Sequence, residues 1–296
     1  MTKLEGIFSA LLTPFRDDES IDRDAIGPLV DFQVKLNIQG TYVGGSSGEA
    51  MLQSLEERTN ALRWTAEAAA GRLILIAHVG AIATADTLHL AKVAGDAGYQ
   101  AISAITPYYY GFSREEVMAH YRELADNSPL PLIIYNFPAR TTGFSTEELT
   151  TLLTHENIIG IKHTSSDMYQ LERLREANPD ALIYNGYDEM CLAGLASGAQ
   201  GAIGTTYNFM GDLYVELRRH VADGSLEEAR RLQRMANDVI DVLIAVGVMP
   251  GSKAALDIMG VYVGPSRRPF RKLSDADRTK MEAALRPLLE WRKTHA

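Results

Sequence analysis

The sequence predicts a (β/α)8 barrel carrying a C-terminal helical extension, on three observations. Eight short apolar runs alternate with amphipathic stretches along the 296 residues. Several of those runs are apolar throughout, as parallel strands covered on both faces require. The first turn, Leu12-Thr13-Pro14-Phe15, contains no glycine, whereas a doubly wound open sheet would need a phosphate-binding glycine loop there.

The predicted strands fall at residues 7–12, 40–43, 73–79, 101–105, 132–136, 158–162, 182–185 and 201–203. Between them, Ser54-Leu-Glu-Glu57, Ser113-Arg-Glu-Glu116 and Ser145-Thr-Glu-Glu148 match the S-x-x-E capping box, and Ser225-Leu-Glu-Glu228 does the same for a later helix. In that box the serine and glutamate satisfy orphan N–H groups of the first turn. Residues 84–97 and 167–176 predict two more helices, and Leu226, Leu232, Met235, Val239 and Leu243 form a helical apolar stripe after Ser225. No linker or low-complexity tract interrupts the chain. Residues 1–224 are therefore read as the barrel and 225–296 as a helical extension packed on it.

Composition narrows the function. The chain is 46% hydrophobic and 23% charged, ordinary for a soluble globular protein, and no apolar stretch approaches the roughly 20 residues that cross a bilayer. Met1-Thr2-Lys3-Leu4-Glu5-Gly6 has no signal-peptide pattern. A net charge of −9 disfavours nucleic-acid binding, and the densest basic group, Arg267-Arg268 with Arg271-Lys272, is too short for such a patch. The single cysteine, Cys191, forbids an intramolecular disulfide and fits a reducing cytoplasm. An anionic substrate would have to be held by local donors against the overall field.

In such a barrel the chemistry sits where strands end and βα loops begin. Lys162 ends the apolar run Ile158-Ile159-Gly160-Ile161. A buried ammonium is costly unless paired, so this lysine is neutral, partnered, or exposed at the strand's end. A lysine with a lowered pKa is an amine nucleophile of the kind that forms Schiff bases. The other seven lysines, Lys3, Lys35, Lys92, Lys253, Lys272, Lys280 and Lys293, lie in terminal or helical stretches, which favours Lys162 as the reactive amine. Gly45-Ser46-Ser47-Gly48 can present successive N–H groups and two hydroxyls to an anion, or serve as a helix-capping turn with Glu49 as a first-turn carboxylate. Tyr135, one strand from Lys162, offers a phenol for proton relay, or is a core tyrosine. Tyr108, Tyr109 and Tyr110 read as packing or interface residues. Asp188 either caps the helix running to Ala196 or, with Glu189, grips vicinal hydroxyls. His78 and His163 lack metal-ligand spacing and read as hydrogen-bonded polar residues, so no metal site is expected.

These motifs resemble the pyruvate-dependent class I aldolases that include N-acetylneuraminate lyase and dihydrodipicolinate synthase. The resemblance runs from Ala10-Leu11-Leu12-Thr13-Pro14-Phe15 to Arg268-Pro269-Phe270, through the Gly44–Glu49 loop, Tyr135-Asn136-x-Pro138 and Ile161-Lys162. Lys162-His-Thr-Ser-Ser-Asp-Met-Tyr-Gln170, Tyr184-Asn-Gly-Tyr-Asp-Glu189 and Ile203-Gly-Thr-Thr-Tyr-Asn208 are similar to the lyase branch. The resemblance implies a homotetramer that reversibly cleaves N-acetylneuraminate to N-acetylmannosamine and pyruvate. Its alternatives are condensation of pyruvate with aspartate semialdehyde, or cleavage of a 2-keto-3-deoxy sugar acid. It further implies that Lys162 forms the imine and that Ser46 and Ser47 hold the pyruvate carboxylate. Tyr135 would relay the proton, helped by Ser46 and by Tyr109 of a neighbouring subunit. Thr164, Gly186, Asp188, Glu189 and Thr205 would meet the sugar. A protonated imine is itself the electron sink, so no cofactor is expected. Two positions depart from the branch. Arg140 stands where the synthase carries a carboxylate-binding arginine and the lyases an apolar residue, and Ser47 replaces the more usual threonine.

Overall fold

The computed structural model describes residues 4–295. Eight parallel strands close into a barrel in sequence order. The chain runs β1 (Gly6–Ala10), α1 (Arg23–Lys35), β2 (Gly40–Val43), α2 (Leu55–Ala69), β3 (Ile74–His78), α3 (Thr84–Asp96), β4 (Ala101–Ile105) and α4 (Arg114–Asn127). It continues β5 (Leu132–Asn136), α5 (Thr146–Leu153), β6 (Ile158–His163), α6 (Met168–Ala177), β7 (Leu182–Asn185), α7 (Cys191–Ala196), β8 (Gly201–Gly204) and α8 (Tyr207–Ala222). Three more helices follow, α9 (Leu226–Val246), α10 (Val248–Ile258) and α11 (Asp275–His295), and α9 and α10 pack on α8.

Side chains fill the barrel interior. Phe8, Tyr42, Ile76, Ile133, Tyr184 and Ile203 form one buried cluster. A second, larger core lies between the strands and the surrounding helices. Both faces of the sheet are therefore apolar, which is why the strand runs lack alternation. The β5–β6 ladder pairs Tyr135 with Lys162, and the β6–β7 ladder pairs Lys162 with Tyr184. That register fixes which side chains meet at the barrel's C-terminal mouth.

The elements depart from the sequence expectation at several places, and β6 and β8 each run one residue longer, to His163 and Gly204. β1 ends at Ala10 rather than residue 12, because the Leu12 N–H turns to the Asn208 side chain (3.1 Å). β3 is shorter than 73–79, although Leu73 and Val79 remain buried. The fourth capping box does not form. Ser54, Ser113 and Ser145 have extended backbones, with ψ of 163, 162 and 163°, and each serine oxygen accepts the N–H of the third helical residue. Ser225 has ψ 61° and no side-chain cap, so its backbone enters the helix outside the extended conformation the other three share.

That contrast is testable by urea unfolding. Ser54→Ala, Ser113→Ala and Ser145→Ala should each cost about 1 kcal/mol, and Ser225→Ala should cost measurably less than any of them.

Candidate active site

The site is built around the Lys162 amine. β6 delivers it into the barrel mouth, where the residue is only 5% exposed. Its Nζ lies 4.1 Å from the ring centroid of Tyr135 and 4.4 Å from that of Tyr42. Burial lowers its pKa from 10.5 to about 7, against the opposing pull of Asp188. Among the described residues the amine donates no hydrogen bond to the protein. It faces the cavity instead.

Tyr135 reaches the same space from β5. Burial pushes its phenol up to about 12, while the adjacent Ser46 and Thr164 hydroxyls pull the other way. The phenol is therefore protonated at neutral pH and suited to passing protons on rather than acting as a standing base. Phe137 stacks on it with centroids 5.7 Å apart. Tyr42, on β2, fixes its own hydroxyl on Ser103 Oγ (3.0 Å) and presents its ring face to the amine.

The turn after β2 has the shape of an anion nest. The N–H groups of Gly48, Glu49 and Ala50 are spent on the turn's own carbonyls. Those of Ser46 and Ser47 donate to no protein group among the described residues. Gly44, with φ +75°, opens the turn in a conformation that suits glycine. Its carbonyl is held by His78 Nδ1 (2.9 Å), while His78 Nε2 accepts from the Ile105 N–H (3.3 Å). Burial holds the His78 pKa near 3, so the ring is neutral, with its proton on Nδ1. His163 likewise meets the Asp167 carbonyl at 3.0 Å. Both histidines are hydrogen-bonded polar residues, as the sequence suggested.

From the nest, the Ser47 hydroxyl shares a hydrogen bond of 2.6 Å with that of Thr205. Asp188 is buried and accepts from both the N–H and the hydroxyl of Thr206, each at 2.7 Å. It thus serves the start of α8, not the helix running to Ala196. Burial raises its pKa to about 6. Gly204 packs against it so closely that a Cβ would fall 1.9 Å from Asp188 Oδ1. Gly186 is similarly constrained, with Thr164 Oγ1 1.9 Å from where its Cβ would stand.

Ser46, Ser47, Tyr135, Lys162, Thr164, Gly186, Asp188, Glu189 and Thr205 all line one cavity of about 200 Å³. Arg140 does not. It lines an adjoining space of about 530 Å³ that shares Ser46, Ser47 and Thr205 with the first, and among the described residues its guanidinium has no carboxylate partner. Tyr109 lines neither cavity of its own chain. It is 86% exposed, with φ +77°.

Sequence reasoning missed several contributors. Tyr42 and Thr206 were not singled out, though Tyr42 stands two residues before Gly44 and Thr206 directly follows Thr205. Ile240 and Leu243 of α9 and Val248 of α10 form one wall of the cavity. A second lysine, Lys253, is also buried and lowered by burial to about 8. It pairs with Glu49 outside the cavity that holds Lys162.

A cavity-facing lysine of depressed pKa on the sixth strand of a closed barrel, beside a phenol and a free anion nest, defines a carbon–carbon lyase of the class I aldolase type. The comparisons agree. The chain belongs to the dihydrodipicolinate synthetase family, whose model matches residues 3–288. It is 71% identical to the N-acetylneuraminate lyase of Rhizobium meliloti (strain 1021) over 292 residues, 99% of this chain and 98% of that one. A structure of CdNal from Clostridium difficile in complex with mannosamine superposes with a TM-score of 0.94 at 32% identity, covering 96% of this chain and 99% of that one. A catalytic lysine mutant of the Ruminococcus gnavus sialic acid aldolase gives 0.95 at 29% identity, covering 99% of both chains.

The buried amine sets a pH signature. Its pKa is depressed in the fold, so between about 7 and 10.5 the unfolded chain binds more protons and stability rises with pH. Lys162→Met should therefore stabilise the protein most below pH 7, by on the order of 5 kcal/mol. The gain should fade toward pH 10.5, as chemical unfolding across that range would record.

Proposed function

We propose that this protein cleaves N-acetylneuraminate reversibly to N-acetylmannosamine and pyruvate through an imine on Lys162. The observation that carries the reading is the cavity-facing Lys162 amine, flanked by Tyr135 and by the unspent Ser46 and Ser47 N–H groups. The near-full-length identity to lyases supports the substrate.

The neutral amine attacks the C2 ketone, and loss of water leaves a protonated imine. The C4 hydroxyl then gives up its proton, the C3–C4 bond breaks, and its electron pair moves into the enamine. The aldehyde is N-acetylmannosamine. Protonation of the enamine at C3 and hydrolysis release pyruvate and restore the amine. Ser46 and Ser47 hold the carboxylate, and Tyr135, with Ser46, passes the proton between C4 oxygen and solvent side. Thr164, Gly186, Asp188, Glu189 and Thr205 face the sugar chain. Thr206 donates both its N–H and its hydroxyl to Oδ2, which leaves Asp188 Oδ1 for that task.

Tyr109 belongs to an assembly. A tyrosine exposed on the β4–α4 loop in a left-handed conformation suits insertion into a neighbouring subunit's site, in a homotetramer. No helix among the described residues is long and apolar enough to cross a membrane. The lone Cys191 is buried and its thiol is pushed up to about 12, which suits work in a reducing cytoplasm. Arg140 favours one second reading: its free guanidinium beside the nest suits a second carboxylate, as in aspartate semialdehyde.

Pyruvate with cyanoborohydride should add one pyruvate-derived mass to Lys162. No adduct, or one on Lys253, would overturn the imine assignment. The trapping rate should fall as pH drops through about 7, where the amine protonates. Tyr135→Phe should lower kcat by about 10²-fold or more. In side-by-side turnover, N-acetylneuraminate should outpace 2-keto-3-deoxygluconate and the pair pyruvate plus aspartate semialdehyde. Activity confined to the semialdehyde would replace the lyase reading with the synthase one.

A further inference from the structure

The anion-binding turn is anchored from outside the barrel. Glu49 closes it two residues after Ser47, in the left-handed region at φ +56°. Its side chain is 0% exposed. Oε2 accepts the Arg267 N–H at 2.8 Å, and Oε1 lies 3.1 Å from Lys253 Nζ. Lys253, on α10, also donates to the carbonyls of Thr13 (2.9 Å) and Pro265 (2.8 Å). Its ammonium sits 4.4 Å from the Phe15 ring centroid, with the Arg267 guanidinium at 4.5 Å from the same ring. The Gly48 carbonyl is held in turn by Thr13 Oγ1 and Gln53 Nε2, each at 2.7 Å.

A left-handed glutamate and a buried carboxylate both cost free energy. They persist only where surrounding contacts over-determine them. Here the contacts come from α10 and residues 265–267, in the segment that follows the barrel. The feature fixed is the turn whose two free N–H groups face the cavity.

We infer that the buried Glu49–Lys253 ion pair is a positioning device. Through it the C-terminal extension holds the Ser46 and Ser47 N–H groups in carboxylate-binding geometry and cancels the Glu49 charge near the bound anion. This rests on the reading of that turn as the carboxylate site. The charge argument fixes an order of effects. Removing Lys253 leaves an uncompensated carboxylate close to the anion, whereas removing the Glu49 charge leaves a cation, and removing both restores neutrality.

The test uses Lys253→Met, Glu49→Gln and the double variant. Each is read by melting temperature, by pyruvate concentration dependence of imine trapping, and by amide hydrogen exchange over residues 44–50. Lys253→Met should raise the half-saturating pyruvate concentration by about tenfold or more. The maximal trapping rate should stay within about threefold, and exchange at Gly48, Glu49 and Ala50, whose N–H groups bond the turn's own carbonyls, should quicken. Glu49→Gln should have a smaller effect in the same direction, and the double variant should bind pyruvate better than Lys253→Met. If Lys253→Met fails to fold, the near-isosteric Glu49→Gln carries the test alone.

Lower melting temperature with unchanged half-saturation and unchanged exchange would make the pair merely structural and overturn the proposal. A double variant no better than Lys253→Met would overturn charge cancellation. Quickened exchange with unchanged half-saturation, repeated in a Ser47→Ala control, would overturn the carboxylate reading and leave the anchoring standing.

Discussion

The rest of the structure is organised around keeping one primary amine out of water yet within reach of a substrate. Two tyrosine faces at 4.1 and 4.4 Å give the Lys162 ammonium a partial counter-environment without giving it a hydrogen-bond partner. A carboxylate in the same place would lock the amine as a salt bridge. Asp188 exerts only the smaller, opposing pull and forms no ion pair with the amine among the described residues; its Oδ2 accepts from Thr206. The parallel ladder makes this arrangement possible, since it sets Tyr135 and Lys162 in register on adjacent strands.

Around that amine, protein polar groups divide into those that are tied and those left open. His78 is committed to Gly44 and Ile105, Asp188 to Thr206, and Tyr42 to Ser103. The Ser46 and Ser47 N–H groups and the amine itself remain free among the described residues. Buried polar groups that are tied act as scaffold, because an unmet partner in this low-dielectric setting is costly. Those left open lie in one cavity, so a ligand offering a carboxylate and a ketone meets both at once.

Much of this was legible in the sequence, for physical reasons that also mark where reading stops. Strand positions were legible because burial on both faces makes the runs apolar. Strand ends were less so, because Leu11, Leu12, Leu73 and Val79 are buried without all belonging to the ladder. Ser225 shows that a capping box states a possibility, which the incoming backbone can decline. Lys162 stood out by its place at a strand end. Lys253, equally buried, did not, because helical spacing does not say which residue meets a distant glutamate. Arg140 was legible as an oddity, and the fold gives it an address beside the nest rather than within the lysine's cavity. The cavity wall from α9 and α10 was invisible, since Leu243 belongs to a stripe indistinguishable from ordinary core and neither Ile240 nor Val248 stood out from its helical surroundings.

That wall separates two kinds of evolutionary freedom. The amine, the phenol and the nest are carried by strands and turns whose register allows little drift. Ile240, Leu243 and Val248 hang from helices outside the sheet, where a change of side-chain volume reshapes the chamber without disturbing a single ladder bond. In the proposed reaction, a volume change there would alter which aldehyde fits while the amine and the phenol keep their places.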